Sequence, residues 1–458
     1  MDPVLVFIAL VTIVSAGFGP AMFFLRRSNS VSVVELLAFS WLLGVSSLSL
    51  SLVCCGILIR GLTLQMTVAA GCVISGCLGV RLLRANKDKI SWPKPVGKIE
   101  AGLCAILLFQ FAAALLIQYR TALGWDGLLT WEIKARYAFL NGGSIPLEYF
   151  SDPTRTFSTP NYPLMLPMLE TWIYLWIGDC DQFWVRFVFP VFYYAAALVL
   201  YLGVAHLSGK KWIGLTAAVM LMFIPFPAAG AWNVFAGYAD LPLAVFYLAA
   251  LVCFLRYQIE PSGIRLILLS LVAGMLPWVK REGIVLWACL MTVVLVELVR
   301  RRKFFAAVQM LIPGAVVCIG WKIARVIMDT SPVTDFHSCS LEFLERNLPR
   351  ALTALRMLFV ELANPGDWSL LWYVFPAALV CLFFNGRKKI AMQLFFCVAA
   401  PLFLLSCSFV LSSWPDFQNH IRTSLPRLIL QVAPLAMLAM GLAMGVRPEA
   451  GGRPWRNQ

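Results

Sequence analysis

Charge is what this chain has least of. Only 13% of its 458 residues are Asp, Glu, Lys or Arg, against 60% apolar residues, and the mean hydropathy is +0.81. A water-soluble chain of this length would hold roughly three domains of about 150 residues, but here there is too little polar surface to coat them. Histidine is nearly absent: His206, His337 and His420 are too scattered to argue a metal centre. No phosphate-binding glycine loop, dinucleotide fingerprint, zinc Cys/His spacing or internal repeat is visible. Disorder is excluded by what the chain does have, 32 Phe, 16 Trp and 12 Tyr. A β-barrel is excluded because the apolar stretches run unbroken for about 17–25 residues, whereas barrel strands alternate faces over about ten.

The remaining reading is all-α and polytopic. Apolar runs bounded by charges and Gly/Pro clusters predict about thirteen spans, near 3–25, 32–57, 63–83, 99–119, 183–206, 212–229, 239–256, 264–279, 283–299, 304–325, 368–384, 391–412 and 425–445. With the N-terminus outside, the inner connections hold 22 basic and 6 acidic residues, a net +16, and the outer ones 15 and 17, a net −2. Together these return the formal +14. The basic excess is therefore a topology signal of the positive-inside kind and asks for no nucleic acid. Met1-Asp2-Pro3 lacks a basic leader, so the first run reads as an uncleaved span, and 446–458 as a cytosolic tail. Of 13 cysteines only Cys180 and Cys339 fall in outer loops, and no disulfide between them is expected.

Two outer segments are long, 119–182 and 326–367. Long loops in compact proteins are usually functional or disordered, and the first is aromatic enough (Trp125, Trp131, Tyr137, Tyr162, Trp172) to be a folded cap at headgroup level. Within it Leu164 to Ile177 is apolar, yet it contains Pro167 and Glu170 and is too short to span, so an interfacial or re-entrant helix is expected. Leu341 to Leu362 reads as an amphipathic helix interrupted at Pro349 and lying on the outer surface.

Four groups of charges fall at one expected depth on the outer side, where ionisable residues are costly unless they face a cavity or a partner. Asp126, in Gly124-Trp125-Asp126-Gly127, reads either as the cap of a short helix or as a general base or metal-binding carboxylate desolvated against the membrane. Glu132, Lys134 and Arg136 follow it. Lys280-Arg281-Glu282 separates two spans of 16 and 17 residues, the first only about 24 Å long, so the triplet is expected below the interface. The alternative is a self-neutralising turn. Asp240 precedes Pro242 at the start of the seventh span and alone reads as a helix cap. The loop Trp414 to Pro426 brings His420 and Arg422, with Arg427 just beyond, and Arg with Ser and Thr at that depth suits a phosphate. Ordinary interfacial anchoring is the competing reading.

Taken in order, Gly124-Trp125-Asp126, Trp131-Glu132-Ile133-Lys134-Ala135-Arg136, Thr159-Pro160-Asn161-Tyr162-Pro163, Tyr238-Ala239-Asp240-Leu241-Pro242, Val279-Lys280-Arg281-Glu282-Gly283, and His420 with Thr423-Ser424-Leu425-Pro426-Arg427 resemble the GT-C superfamily of glycosyltransferases. The resemblance covers roughly 119–430 and is nearest to bacterial homologues of the dolichyl-phosphate-mannose protein mannosyltransferase and of the aminoarabinose transferase. It implies transfer of a sugar from a polyprenyl-phosphate donor to a lipid, glycan or protein acceptor on the extracytoplasmic face of a bacterial inner membrane, with Asp126 as base. It also implies phosphate contacts from Lys280, Arg281, Arg422 and Arg427, and sugar or arginine-orienting roles for Asp240 and Glu282. Glu132, Lys134, Arg136, Asn161, Tyr162 and His420 complete the expected substrate-binding set. The family's catalytic loop usually follows the first span; here it follows the fourth, which implies a three-helix extension over 1–98 ahead of a 99–445 module. Relatives carry His-Pro-Asp where this chain has Thr159-Pro160-Asn161, so one acidic group is missing. A divalent ion is compatible with the resemblance but no ligands are assigned to it. A transporter or flippase of lipid-linked sugars and an inactive envelope-assembly scaffold are the alternatives.

Overall fold

The computed structural model describes residues 2–26, 31–91, 97–226, 235–332, 335–337 and 340–445. The expected tail 446–458 and Cys339 lie outside the described residues. The described chain is almost entirely helical and forms an all-α, multi-pass membrane protein: ten helical stretches are long and apolar enough to cross a bilayer, and two more, within 211–221 and 263–279, are apolar but shorter.

The first four long helices are α1 (Asp2–Leu25), α2 (Val33–Gly56), α3 (Gly61–Ala85) and α4 (Lys98–Arg120). Between them lies the one small strand pair among the described residues, β1 (Val31–Ser32) beside β2 (Ile90–Ser91) in parallel. The long segment 119–182 folds into α5 (Ile133–Leu140) and α6 (Met165–Ile177). Then come α7 (Val188–Ser208), α8 (Lys211–Leu221), α9 (Asp240–Ile259), α10 (Gly263–Gly274), α11 (Gly283–Arg300) and α12 (Phe304–Ile327). Helices α13 (Leu341–Asn347) and α14 (Pro349–Leu362) meet at Leu348, so the expected break at Pro349 is present. Helices α15 (Leu371–Leu382) and α16 (Lys388–Cys407) are joined through Asn385 and Gly386, whose backbone is non-helical, and pack on each other. The chain closes with α17 (Phe417–Leu430) and α18 (Ala433–Met444).

Helix α9 is the centre. It is apolar on every side, the pattern of a helix with no solvent face, and every residue from Asp240 to Tyr257 is buried. Helices α3, α4 and α12 lie at the flank with most of their apolar surface outward, as lipid-facing helices do.

Two expectations change. The segment 164–177 does not lie on a surface: α6 is buried against α1, α2 and α5, and the Trp172 indole donates to Thr12 Oγ1 at 2.9 Å. The interfacial alternative is thereby overturned, because Glu170 and Pro167 face protein rather than a headgroup layer. The last outer loop is also shorter than hydropathy implies. Helix begins at Phe417, capped by Asp416, whose Oδ1 accepts from the backbone N–H groups of Gln418 and Asn419 at 3.0 Å each. His420, Arg422 and Arg427 are therefore helical residues, and the final helix is interrupted at Gln431 and Val432.

Candidate functional site

Two backbone contacts aim the site. The segment around Asp126 lies against 236–237, with the Gly124 N–H donating to the Ala236 carbonyl at 2.7 Å. A Cβ on Gly127 would stand 2.3 Å from that same carbonyl, so no side chain fits there. The second contact is the turn after α10. Residues 276–279 make one helical turn, Lys280 is extended, and a Cβ on Gly283 would stand 1.9 Å from the Leu276 carbonyl oxygen. The turn can close only with glycine at that place, and closing it drives Lys280 inward.

These turns and two helix ends bring five charged groups into one row. Arg427 donates from Nη2 to Asp126 Oδ2 at 2.6 Å and from Nε to Asp240 Oδ2 at 3.3 Å. Lys280 Nζ donates to Asp240 Oδ1 at 2.8 Å and lies 3.0 Å from Glu282 Oε1. The row runs carboxylate, guanidinium, carboxylate, ammonium, carboxylate, drawn from four separate parts of the sequence. Alternation is what lets buried charges persist, since each cation compensates the desolvation of its neighbours. Gln431 donates to Asp240 Oδ1 at 2.6 Å, and the Arg427 guanidinium sits 4.6 Å from the centre of the Tyr238 ring. The middle is sealed and one end is open: the Asp240 side chain is 1% exposed and that of Asp126 24%.

The cap readings of the two aspartates are thus replaced. Asp126 makes no side-chain cap bond to the following turn, and the residue at the cap position before α9 is Ala239 rather than Asp240. The self-neutralising turn is realised only in part, because Lys280 pairs with Asp240 as well as Glu282.

Arg281 differs from the other cations. Its guanidinium lies 5.4 Å from the ring centres of both Tyr162 and Phe336 and makes no hydrogen bond among the described residues. Glu282 Oε2, Asn161 Oδ1 and Thr159 Oγ1 are buried and also lack partners among the described residues. Such groups are expensive to leave unmade and mark places for a ligand or water. The cluster therefore holds a fixed, charged, five-donor fork with its hydrogen bonds unspent.

Lys134 is fully buried, donates to the Thr159 carbonyl at 2.9 Å and lies 5.4 Å from the Trp131 ring centre. Burial lowers it to about 7, against the pull of Asp126 and Glu170 in the other direction. Glu170, sealed in α6 with neither oxygen hydrogen-bonded among the described residues, is pushed well up by burial. Both groups are held toward their neutral forms, as charges without solvent or a close partner must be.

Other expected site residues fall elsewhere. Glu132 accepts from Arg136 at 3.1 Å and from the Tyr174 hydroxyl at 2.6 Å, which braces α5 on α6. His420 lies beside the row; its Nδ1 is 2.8 Å from Ser412 Oγ and its ring stacks on Trp414. Arg422 is exposed, makes no hydrogen bond or ion pair among the described residues, and does not join Arg427. Gln431 was not expected; its spacing of four from Arg427 on one helix face was the signal. No three His, Cys, Asp or Glu of the described residues converge at metal-binding distance.

Fold and site together define a multi-pass α-helical membrane protein with a buried ionic row at one end of its helices. No protein-family model matches the chain, and no curated protein does.

Proposed function

We propose that the protein is a membrane glycosyltransferase that moves a sugar from a polyprenyl-phosphate donor to an acceptor hydroxyl with inversion. The observation that carries this reading is the pairing of a half-open carboxylate, Asp126, with an unspent guanidinium, Arg281, in one cluster at one end of the bundle. Inverting transfer needs those two groups. Asp126 Oδ1, the oxygen not held by Arg427, takes the acceptor's proton while the acceptor oxygen bonds the anomeric carbon. The bond from that carbon to the phosphate oxygen breaks, its electron pair leaves with the phosphate, and the added charge is met by Arg281. Arg427 and Asp240 hold Asp126 in place, and Tyr162 and Phe336 hold Arg281.

The same reading sets orientation. Counting α15 and α16 as two legs and including the two short helices gives thirteen crossings. The basic turns Arg300 to Lys303 and Arg387 to Lys389 meet at Glu297, on the face opposite the row, which positive-inside assigns to the cytosol of a bacterial inner membrane. The row then faces outward, with the N-terminus outside and the C-terminus cytosolic.

The test is incubation of purified protein with a panel of polyprenyl-phosphate sugars, reading the donor by mass spectrometry. Loss of sugar from one donor is expected, slowed about 10²–10⁴-fold in Asp126→Asn. Undiminished turnover in a well-folded variant would remove Asp126 from the chemistry.

One observation favours a second reading. The helix break at Gln431 and Val432 lies across from the break at Lys280, and facing broken helices with charges between them are the build of transporters. Movement of an unaltered lipid-linked sugar across proteoliposomes would select transport.

A further inference from the structure

At the other side of the molecule α1, α2 and α3 pack on one another, but α4 stands off from them. A slot of about 1060 Å³ runs between them, lined by Val11, Val14, Phe18, Trp41, Val73 and Phe111 among others, and ending at Arg81 and Arg84. It is at the upper end of the range for ligand cavities, about 300–1,000 Å³. Its rim opens outward through Phe7, Val11 and Val73, which are exposed, so it faces the hydrocarbon of the bilayer.

The slot is separate from the ionic row. Helix α3 meets the site-bearing loop at its start, where the Gly61 N–H donates to the Gly142 carbonyl at 2.7 Å. Arg81 and Arg84 stand twenty or more residues further on, about 30 Å away at 1.5 Å per residue, near the opposite face. Both guanidinium groups are exposed and make no ion pair among the described residues. Lys87 and Lys89 follow them, against the single acidic Asp88. Trp41 is buried and forms part of the slot's inner wall. Apolar walls and a cationic mouth at the level of a headgroup form the outline of an anionic amphiphile.

We propose that this slot binds one anionic phospholipid of the surrounding bilayer, its acyl chains along α1, α3 and α4 and its phosphate on Arg81 and Arg84. The site does not depend on the transfer reaction. Phosphate charge meets two arginines that make no ion pair among the described residues. A zwitterionic lipid satisfies the walls but leaves the mouth without net compensation.

The test uses the full chain in detergent micelles doped with equal phosphatidylglycerol and phosphatidylcholine, read by native mass spectrometry. One phosphatidylglycerol is expected to stay bound to the wild type. The Arg81→Gln/Arg84→Gln variant should retain it roughly 30-fold less, at about fivefold for each basic residue near an anionic surface. Val73→Trp, which fills the slot and leaves both arginines, should also lose it, whereas Lys210→Gln/Lys211→Gln, at the same face outside the slot, should not. Retention of the two lipids without preference, or equal loss in the Lys210/Lys211 control, would make the occupancy annular and overturn the proposal. Replacement by an equimolar polyprenyl phosphate would overturn the assignment of the occupant.

Discussion

The two faces of the bundle both bury carboxylates, and they satisfy them in opposite ways. On one face Glu297, 2% exposed at its side chain, is ringed by Arg300 at 3.1 Å, Arg301 at 2.5 Å and Lys389 at 2.7 Å. Glu35 and Arg256 pair nearby on α2 and α9. Both oxygens of Glu297 have cations, and Arg300 and Lys389 among those cations reach solvent. On the other face the row from Asp126 to Glu282 is matched only in its middle; its edges hold an unspent guanidinium, a half-open carboxylate and a buried carboxylate oxygen without a partner among the described residues. A saturated cluster fastens helices, whereas an unsaturated one has capacity left for something that arrives.

That contrast can be broken at its strongest point first. Asp240→Ala leaves Lys280 and Arg427 buried beside a void and should destabilise the protein by about 3–5 kcal/mol, read as thermal unfolding in detergent. A loss below about 1 kcal/mol would mean that the row is not a structural unit. Arg281→Ala should instead spare the unfolding midpoint and raise the donor KM, through loss of about 1.5–3 kcal/mol of charged hydrogen bonding. If the midpoint falls and KM holds, Arg281 is a fastener like those at the other face. Glu297→Gln should cost about 1 kcal/mol and leave turnover alone, because Arg300 and Lys389, 64% and 42% exposed, return to water.

A further test is pH. Lys134 is lowered by burial from its ordinary 10.5 to about 7, so the unfolded chain holds a proton that the folded chain has released between those values. Its contribution to stability therefore rises with pH across that window and is at its floor below about 7. Lys134→Met should flatten the dependence of the unfolding midpoint between pH 7 and 10. An unchanged slope would mean that Lys134 is not buried as a neutral amine.

Much of this was legible before any coordinates. Hydropathy located the helices, and the grouping of Asp126, Asp240, Lys280 and Glu282 at one depth followed from short spans and charge placement. What failed did so for identifiable reasons. Arg422 and Arg427 were treated alike, yet five residues on a helix turn the chain by about 140°, so only one of them can face Asp240. Asn419, His420 and Arg422 are polar enough to hide the helix that starts at Phe417. The burial of α6 is concealed by Glu170, whose carboxyl is pushed by burial toward its neutral form, which counting charges does not register. The ion pair joining Asp126 to Arg427 spans 301 positions, and one sequence offers no signal for it.

The two faces are also mechanically joined. Helix α9 carries Asp240 at its first residue and Arg256 one turn from its last, and each is clamped to another helix, to α17 at one end and to α2 at the other. A rod pinned at both ends cannot piston along its axis or roll about it without breaking a buried ion pair. Its height in the bilayer is thereby fixed, and it serves as the datum against which the surrounding helices keep their register. Any motion about the row must then be carried by the elements around that rod, and those tied to it through Lys280 or Asp126 move only as those pairs open.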